Sequence, residues 1–234
     1  MIALQAGEAL AEIVPERGAI CSRLRLGGEE LLFLDRATLE DPSKNVRGGI
    51  PVLFPIAGKP DPGSPLKQHG FARNLPWEPT LCGPDRLECR LSESGWDLLL
   101  TFSLSERALR LECTVHGESP FQLGFHPYFA VPDKAAARVE TRATQVYDNR
   151  TGETRAFGKP DFTEGEQDLH LLDHAEAGTV LHRAPLADIH LSWSPEFRRM
   201  VLWTLPEKPF ICVEPWTLRN ELVPPRELSF EISR

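Results

Sequence analysis

Signatures of disulfide frameworks, nucleotide loops and membrane spans are all missing from this 234-residue chain. Its five cysteines, at positions 21, 82, 89, 113 and 212, form no close CxxC pair and leave an odd one over, so buried free thiols are expected. Nowhere does an apolar stretch approach the roughly 20 residues a bilayer-crossing helix needs. Met1 to Glu8 has no basic region leading into an apolar run, so no secretory signal is expected and a cytoplasmic location follows by default. Positive charge is in deficit: 26 Lys and Arg against 34 Asp and Glu give a net charge of -8, which offers no general attraction to nucleic acid or an anionic membrane. There is no GxxxxGK(S/T) phosphate loop, and Ser192-Trp193-Ser194 lacks the glycines of a GxSxG nucleophile elbow. His170, Asp173 and His174, with His182 and His190 nearby, do not have the spacing of a zinc signature. Long amphipathic helices, internal repeats and a convincing linker are absent too.

Short alternating segments are abundant. Leu87 to Leu91, Trp96 to Leu104 and Leu109 to Val115 alternate apolar and polar residues, and Asp188 to Trp193, Met200 to Thr204, Phe210 to Glu214 and Leu228 to Ile232 repeat the strand pattern. In a strand that period places one face on a core and the other in water. Twenty-one prolines and 17 glycines separate the runs, which favours many short strands joined by turns. The expectation is an all-β chain, two packed antiparallel sheets in one domain over residues 1–234. Two long connections stand out, Ala57 to Lys67 with its Gly58, Pro60, Pro62, Gly63 and Pro65, and the charged stretch from Asp148 to Asp168. A structureless loop of that length in a compact domain is often functional.

The chemistry-bearing residues fall in a few segments. Arg47-Gly48-Gly49-Ile50-Pro51 precedes His69-Gly70-Phe71-Ala72-Arg73-Asn74, and Gly124-Phe125-His126-Pro127-Tyr128-Phe129 and Val213-Glu214-Pro215-Trp216 follow. An imidazole held neutral among aromatics (His126) and a half-buried carboxylate at an apparent strand end (Glu214) are the residue types that exchange protons near neutral pH. Arg47 and Arg73 carry donor forks suited to carboxylate or phosphate oxygens. Trp216 offers a flat apolar face to a sugar, His69 a second imidazole, and Asp168 a carboxylate for paired hydroxyls. Each has a plain structural reading as well: core histidine, salt-bridged arginine or glutamate, core tryptophan, solvated acid.

Taken in order, these motifs resemble the aldose 1-epimerase superfamily, and within it the hexose-6-phosphate mutarotase branch, from roughly Gly18 to Phe230. The resemblance implies a large twisted antiparallel β-sandwich that binds an aldose, free or phosphorylated, with no metal or organic cofactor. It implies His126 as general acid at the ring oxygen and Glu214 as general base at the anomeric hydroxyl. By the same resemblance His69 binds the ring-oxygen side, Arg47 and Arg73 receive phosphate, and Asp168, with Asp173 as its competitor, binds hydroxyls. The alternatives are a non-catalytic carbohydrate-binding or regulatory protein that keeps the pocket, and a sugar enzyme of another class that takes its proton from carbon. A monomer is the default; exposed sheet edges also permit a dimer.

Overall fold

The computed structural model describes residues 1–219 and 221–234. Among these, strands form three antiparallel sheets, one of four strands and two of eight, and the α-helix Arg36–Glu40 has only five residues. No helix among the described residues is long and apolar enough to cross a membrane. The expected β-sandwich is present. Every alternating segment read from the sequence falls on a strand, with only Asp188 just outside: Arg86–Glu93, Trp96–Leu104, Ala108–His116, Ile189–Trp193, Arg199–Thr204, Phe210–Trp216 and Arg226–Ser233.

One eight-stranded sheet runs in the order Arg138–Val139, Gly178–His182, Ile189–Trp193, Arg226–Ser233, Ala108–His116, Trp96–Leu104, Arg86–Glu93, Glu78–Cys82. Its inward residues, among them Leu98, Leu100, Phe102, Leu109, Leu111, Leu228 and Phe230, are essentially solvent-free and belong to the main core cluster. Each such side chain stabilises the fold by about 1.5–3 kcal/mol through burial. The second sheet holds Glu153–Ala156, Gln145–Asp148, Gln167–Leu171, Arg199–Thr204, Phe210–Trp216, Gly124–Phe125 and Val52–Leu53 in that order, with Tyr128–Ala130 also paired to Phe210–Trp216. It contributes Leu169, Leu171, Met200, Leu202, Ile211 and Val213 to the same core.

Two differences from the sequence reading matter. The stretch from Asp148 to Asp168 is not one long connection, because Glu153–Ala156 turns back to pair with Gln145–Asp148, leaving the irregular part after Ala156. The strand carrying Glu214 does not end there but runs on through Pro215 to Trp216, so Trp216 is held on the same sheet face as Glu214. The four-stranded sheet (Ile2–Ala6, Ala9–Val14, Ile20–Leu26, Glu29–Glu30) has no counterpart in the alternating segments named above. Ala57 to Lys67 is irregular as expected.

Candidate active site

Strand Phe210–Trp216 is buried along its whole length on both faces. One face joins the main core; the other, carrying Cys212, Glu214 and Trp216, belongs to small separate clusters with Leu53, Ala57 and Val201 or with Tyr128, Phe210 and Trp203. Period-two geometry and strand register lay out this second face in rows. Asp168 pairs with Trp203 and Trp203 with Cys212; His170 pairs with Val201 and Val201 with Glu214; Arg199 pairs with Trp216 and Trp216 with Gly124. Above the rows is a cavity of about 500 Å³, within the size range of small-molecule sites.

His126 enters from the turn between Gly124–Phe125 and Tyr128–Ala130, where its backbone N–H donates to the Pro51 carbonyl at 3.0 Å. Its ring stacks on Tyr128, with centroids 4.7 Å apart and planes 6° from parallel, and meets Trp203 edge-on at 5.8 Å. Its Nδ1 lies 3.3 Å from Glu214 Oε1 and has no hydrogen-bond partner among the described residues. Trp216 Nε1 donates to Glu214 Oε2 at 3.0 Å, which fixes the carboxylate plane. Gly124 permits this packing: a Cβ there would sit 2.8 Å from Trp216 Cδ1.

His69 is tied to the long irregular loop twice over. Its N–H donates to the Gly58 carbonyl at 2.8 Å, and its Nδ1 accepts the Gly58 N–H at 3.0 Å. In the neutral ring an Nδ1 that accepts leaves the proton on Nε2, which lies 3.2 Å from the Gln68 side-chain amide. The backbone that allows this is left-handed at both His69 (φ 66°) and Gly70 (φ 70°), a region most side chains avoid.

Charge in the cavity follows from burial and neighbours. Burial pushes Glu214 well above the ordinary carboxylate range, with the Asp168 charge adding to it, against the Trp216 hydrogen bond and Arg73. Burial holds the His126 imidazole well below its usual value, with His69, Arg73 and Arg47 acting in the same direction. His69 is lowered to about 3, chiefly by burial and then by Arg73. The environment therefore favours a single proton on the Glu214 side of the pair. Arg47 lies at the exposed rim with its guanidinium 5.6 Å over the Trp203 ring; Arg73 sits deeper, its Nε buried without a partner. Neither has a salt-bridge partner among the described residues.

All seven residues singled out in the sequence line this cavity: Arg47, His69, Arg73, His126, Asp168, Glu214 and Trp216. Asp168 bonds Asn149 Nδ2 at 2.6 Å and His170 Nε2 at 3.2 Å. Asp173 instead caps the backbone N–H groups of Thr144 and Gln145 outside the cavity. The other histidines considered as metal ligands disperse: His174 contacts Thr141 and Glu176, and His182 contacts Asp188 and Glu140. Sequence reasoning passed over Trp203, Arg199, Gln122 and Asn149 and gave His170 no sugar-binding role, though all five line the cavity. Arg199, Val201 and Trp203 share one face in alternation with Met200 and Leu202, and His170 follows Asp168 by two, so the period was there; what was missing was which strands are neighbours.

The aldose 1-epimerase family profile matches residues 1–225. The chain belongs to the aldose 1-epimerase family. It is 30% identical to a Cenchrus ciliaris protein provisionally named glucose-6-phosphate 1-epimerase, over 88% of this chain and 74% of that one. A Salmonella typhimurium protein of the same provisional name is 29% identical over 81% and 73%. Among solved structures, a protein of Synechocystis sp. PCC 6803 superposes with a TM-score of 0.90 at 30% identity, covering 99% of this chain and 94% of its own. A provisionally named mutarotase from Salmonella typhimurium shares the fold, with a TM-score of 0.84 at 24% identity over 99% and 88%. As an aldose 1-epimerase family member the chain is an isomerase that interconverts sugar anomers.

Proposed function

We propose that this epimerase acts on an aldohexose 6-phosphate, with glucose 6-phosphate the first candidate, and that His126 and Glu214 carry the proton transfers. The observation that carries the reading is the pair of arginines with no salt bridge among the described residues, Arg47 and Arg73, beside an acid-base pair whose members lie 3.3 Å apart. In a cyclic aldohexose the C6 group is attached next to the ring oxygen. A 6-phosphate therefore lies on the same side of the sugar as the group that protonates that oxygen, and Arg47 and Arg73 both act on the charge of His126. The curated relatives named for glucose-6-phosphate epimerisation support the same substrate class.

Ring opening needs a base at O1 and an acid at the ring oxygen. Glu214 takes the O1 proton as His126 delivers one to the ring oxygen; the C1–O5 bond breaks and a free aldehyde forms. Rotation about C1–C2 turns the other carbonyl face to the O5 hydroxyl. His126 then recovers its proton as Glu214 returns one to O1, and the opposite anomer closes. The pair holds one proton throughout, and burial favours it on Glu214, the distribution from which ring closure begins. A phosphate between Arg47 and Arg73 offsets two of the charges that add to burial in depressing His126, which raises the imidazole's affinity for the proton, while offsetting Arg73 raises that of Glu214 as well. His69, held as an Nε2–H donor, binds a sugar oxygen without competing for the proton. Asp168 accepts from ring hydroxyls, and Trp216 orients Glu214.

We take residues 1–234 as one domain and the active species as a monomer. The five free cysteines fit a reducing, cytoplasmic setting. Arg47→Met and Arg73→Met, assayed on glucose 6-phosphate and on glucose, test the substrate assignment. The reading requires KM for the phosphate to rise about 10-fold or more, the scale of one charge-assisted contact, with little change for glucose. Equal effects on both sugars contradict it.

A further inference from the structure

Cys212 takes no part in these proton transfers, yet it shares a strand face with Glu214 two residues away. One donor atom each from His126, Cys212 and Glu214 falls within 4.8 Å of the others, and all three residues are buried. His126 Nδ1 is unpartnered, Cys212 is a free thiol, and Glu214 keeps Oε2 on Trp216 while Oε1 faces the imidazole. An imidazole nitrogen, a thiolate and a carboxylate oxygen are a donor set that zinc takes readily. Bonds of about 2.0–2.3 Å around a tetrahedral ion set donors roughly 3.3–3.8 Å apart, so modest side-chain rotations close this triad on one cation. His126 and Glu214 line the cavity and Cys212 lies beside them on the same strand face, so an ion on the triad borders the space proposed for the sugar.

We propose that His126, Cys212 and Glu214 form an inhibitory site for a borderline or soft divalent cation, Zn²⁺ or Cd²⁺, which stops anomer exchange by ligating both proton-transfer groups. Binding displaces the thiol proton to solvent as the metal–sulfur bond forms, together with any proton on the carboxyl; nothing is oxidised or reduced. Arg47 and Arg73 oppose an incoming cation, but the thiolate and carboxylate contribute two negative charges, so the liganded centre is neutral. Magnesium and calcium, which require more oxygen ligands, do not occupy it.

The inhibition half of this proposal rests on the function proposed above; the binding half does not. Cd²⁺ is titrated into metal-free wild type, Cys212→Ala, Cys212→Ser and Cys82→Ala, the last removing the exposed thiol. The thiolate-to-cadmium charge-transfer absorbance and glucose 6-phosphate anomer exchange are read in parallel. In wild type and Cys82→Ala, one equivalent produces a band that glucose 6-phosphate reverses, and exchange stops with it. In either Cys212 variant the band at that stoichiometry is lost and the inhibition constant rises at least about 10-fold, while metal-free exchange persists. A band and inhibition unchanged in both Cys212 variants, or no first-equivalent band beyond that of Cys82 in wild type, overturns the site. A Cys212-dependent band in a protein that exchanges no anomers upholds the site and overturns the enzymatic reading.

Discussion

Glu214 is a carboxyl with 1% of its surface exposed, held by one indole N–H and facing one imidazole. Its raised affinity for protons has a cost that shows in stability. Below pH 4.5 folded and unfolded chains both hold that proton; above it the unfolded chain ionises first, so stability falls as pH rises until the folded carboxyl ionises too, and the full loss persists at higher pH. Glu214→Gln is therefore expected to melt higher than wild type above pH 4.5, with the gap closing below it, in thermal scans across pH. His69 works with the opposite sign. Above pH 6.5 both states are neutral, and between 6.5 and about 3 only the unfolded chain takes up the proton, so stability falls as pH falls through that window. His69→Gln should flatten that slope by about one proton's worth, roughly 1.4 kcal/mol per pH unit; an unchanged slope would refute a neutral His69. For His126, the offset arginine charges predict a titration midpoint that rises when a non-reacting sugar phosphate binds, read by NMR of the labelled ring.

Elements place these groups, and two glycines show how tightly. At Gly70 a Cβ would meet the Phe54 carbonyl oxygen at 2.1 Å in a left-handed backbone. Gly70→Ala is expected to cost on the order of 3 kcal/mol and to release His69 from Gly58. At Gly124 the obstacle is the Trp216 ring. Gly124→Ala should leave the fold in place yet lower kcat about 10- to 100-fold, the scale expected when a catalytic group moves by about an ångström; an unchanged kcat would separate Trp216 from the orientation of Glu214. The alternating strands were legible because half-buried strands write their period into the sequence. Glu153–Ala156, all exposed, has no apolar face and so left no such mark. The site was legible where its residues sit among glycine, proline and aromatics, as His69, His126 and Glu214 do. Arg199, whose buried Nε also lacks a partner, reads locally as one more strand-end arginine; only the register beside Trp216 brings it into the cavity.

At the scale of the whole molecule, two eight-stranded sheets enclose the main core, and one of them spends its other face on a cavity rather than on solvent. That arrangement is compatible with the proposed phosphate binding by a chain of net charge -8: remote acidic groups are screened over about 8–10 Å of salt solution, while Arg47 and Arg73 act at close range. In the proposed acid-base anomer exchange Glu214 is the base. The most direct test of that role is anomer-resolved NMR on freshly dissolved α-glucose 6-phosphate, α-glucose and α-galactose, with wild type, Glu214→Gln and no enzyme compared. Wild type should speed the approach to equilibrium, most strongly for the phosphate, and Glu214→Gln should lose about 10²–10⁴-fold of that rate while still binding sugar. Exchange at wild-type speed in Glu214→Gln, or no acceleration of any of the three sugars by wild type, would contradict it.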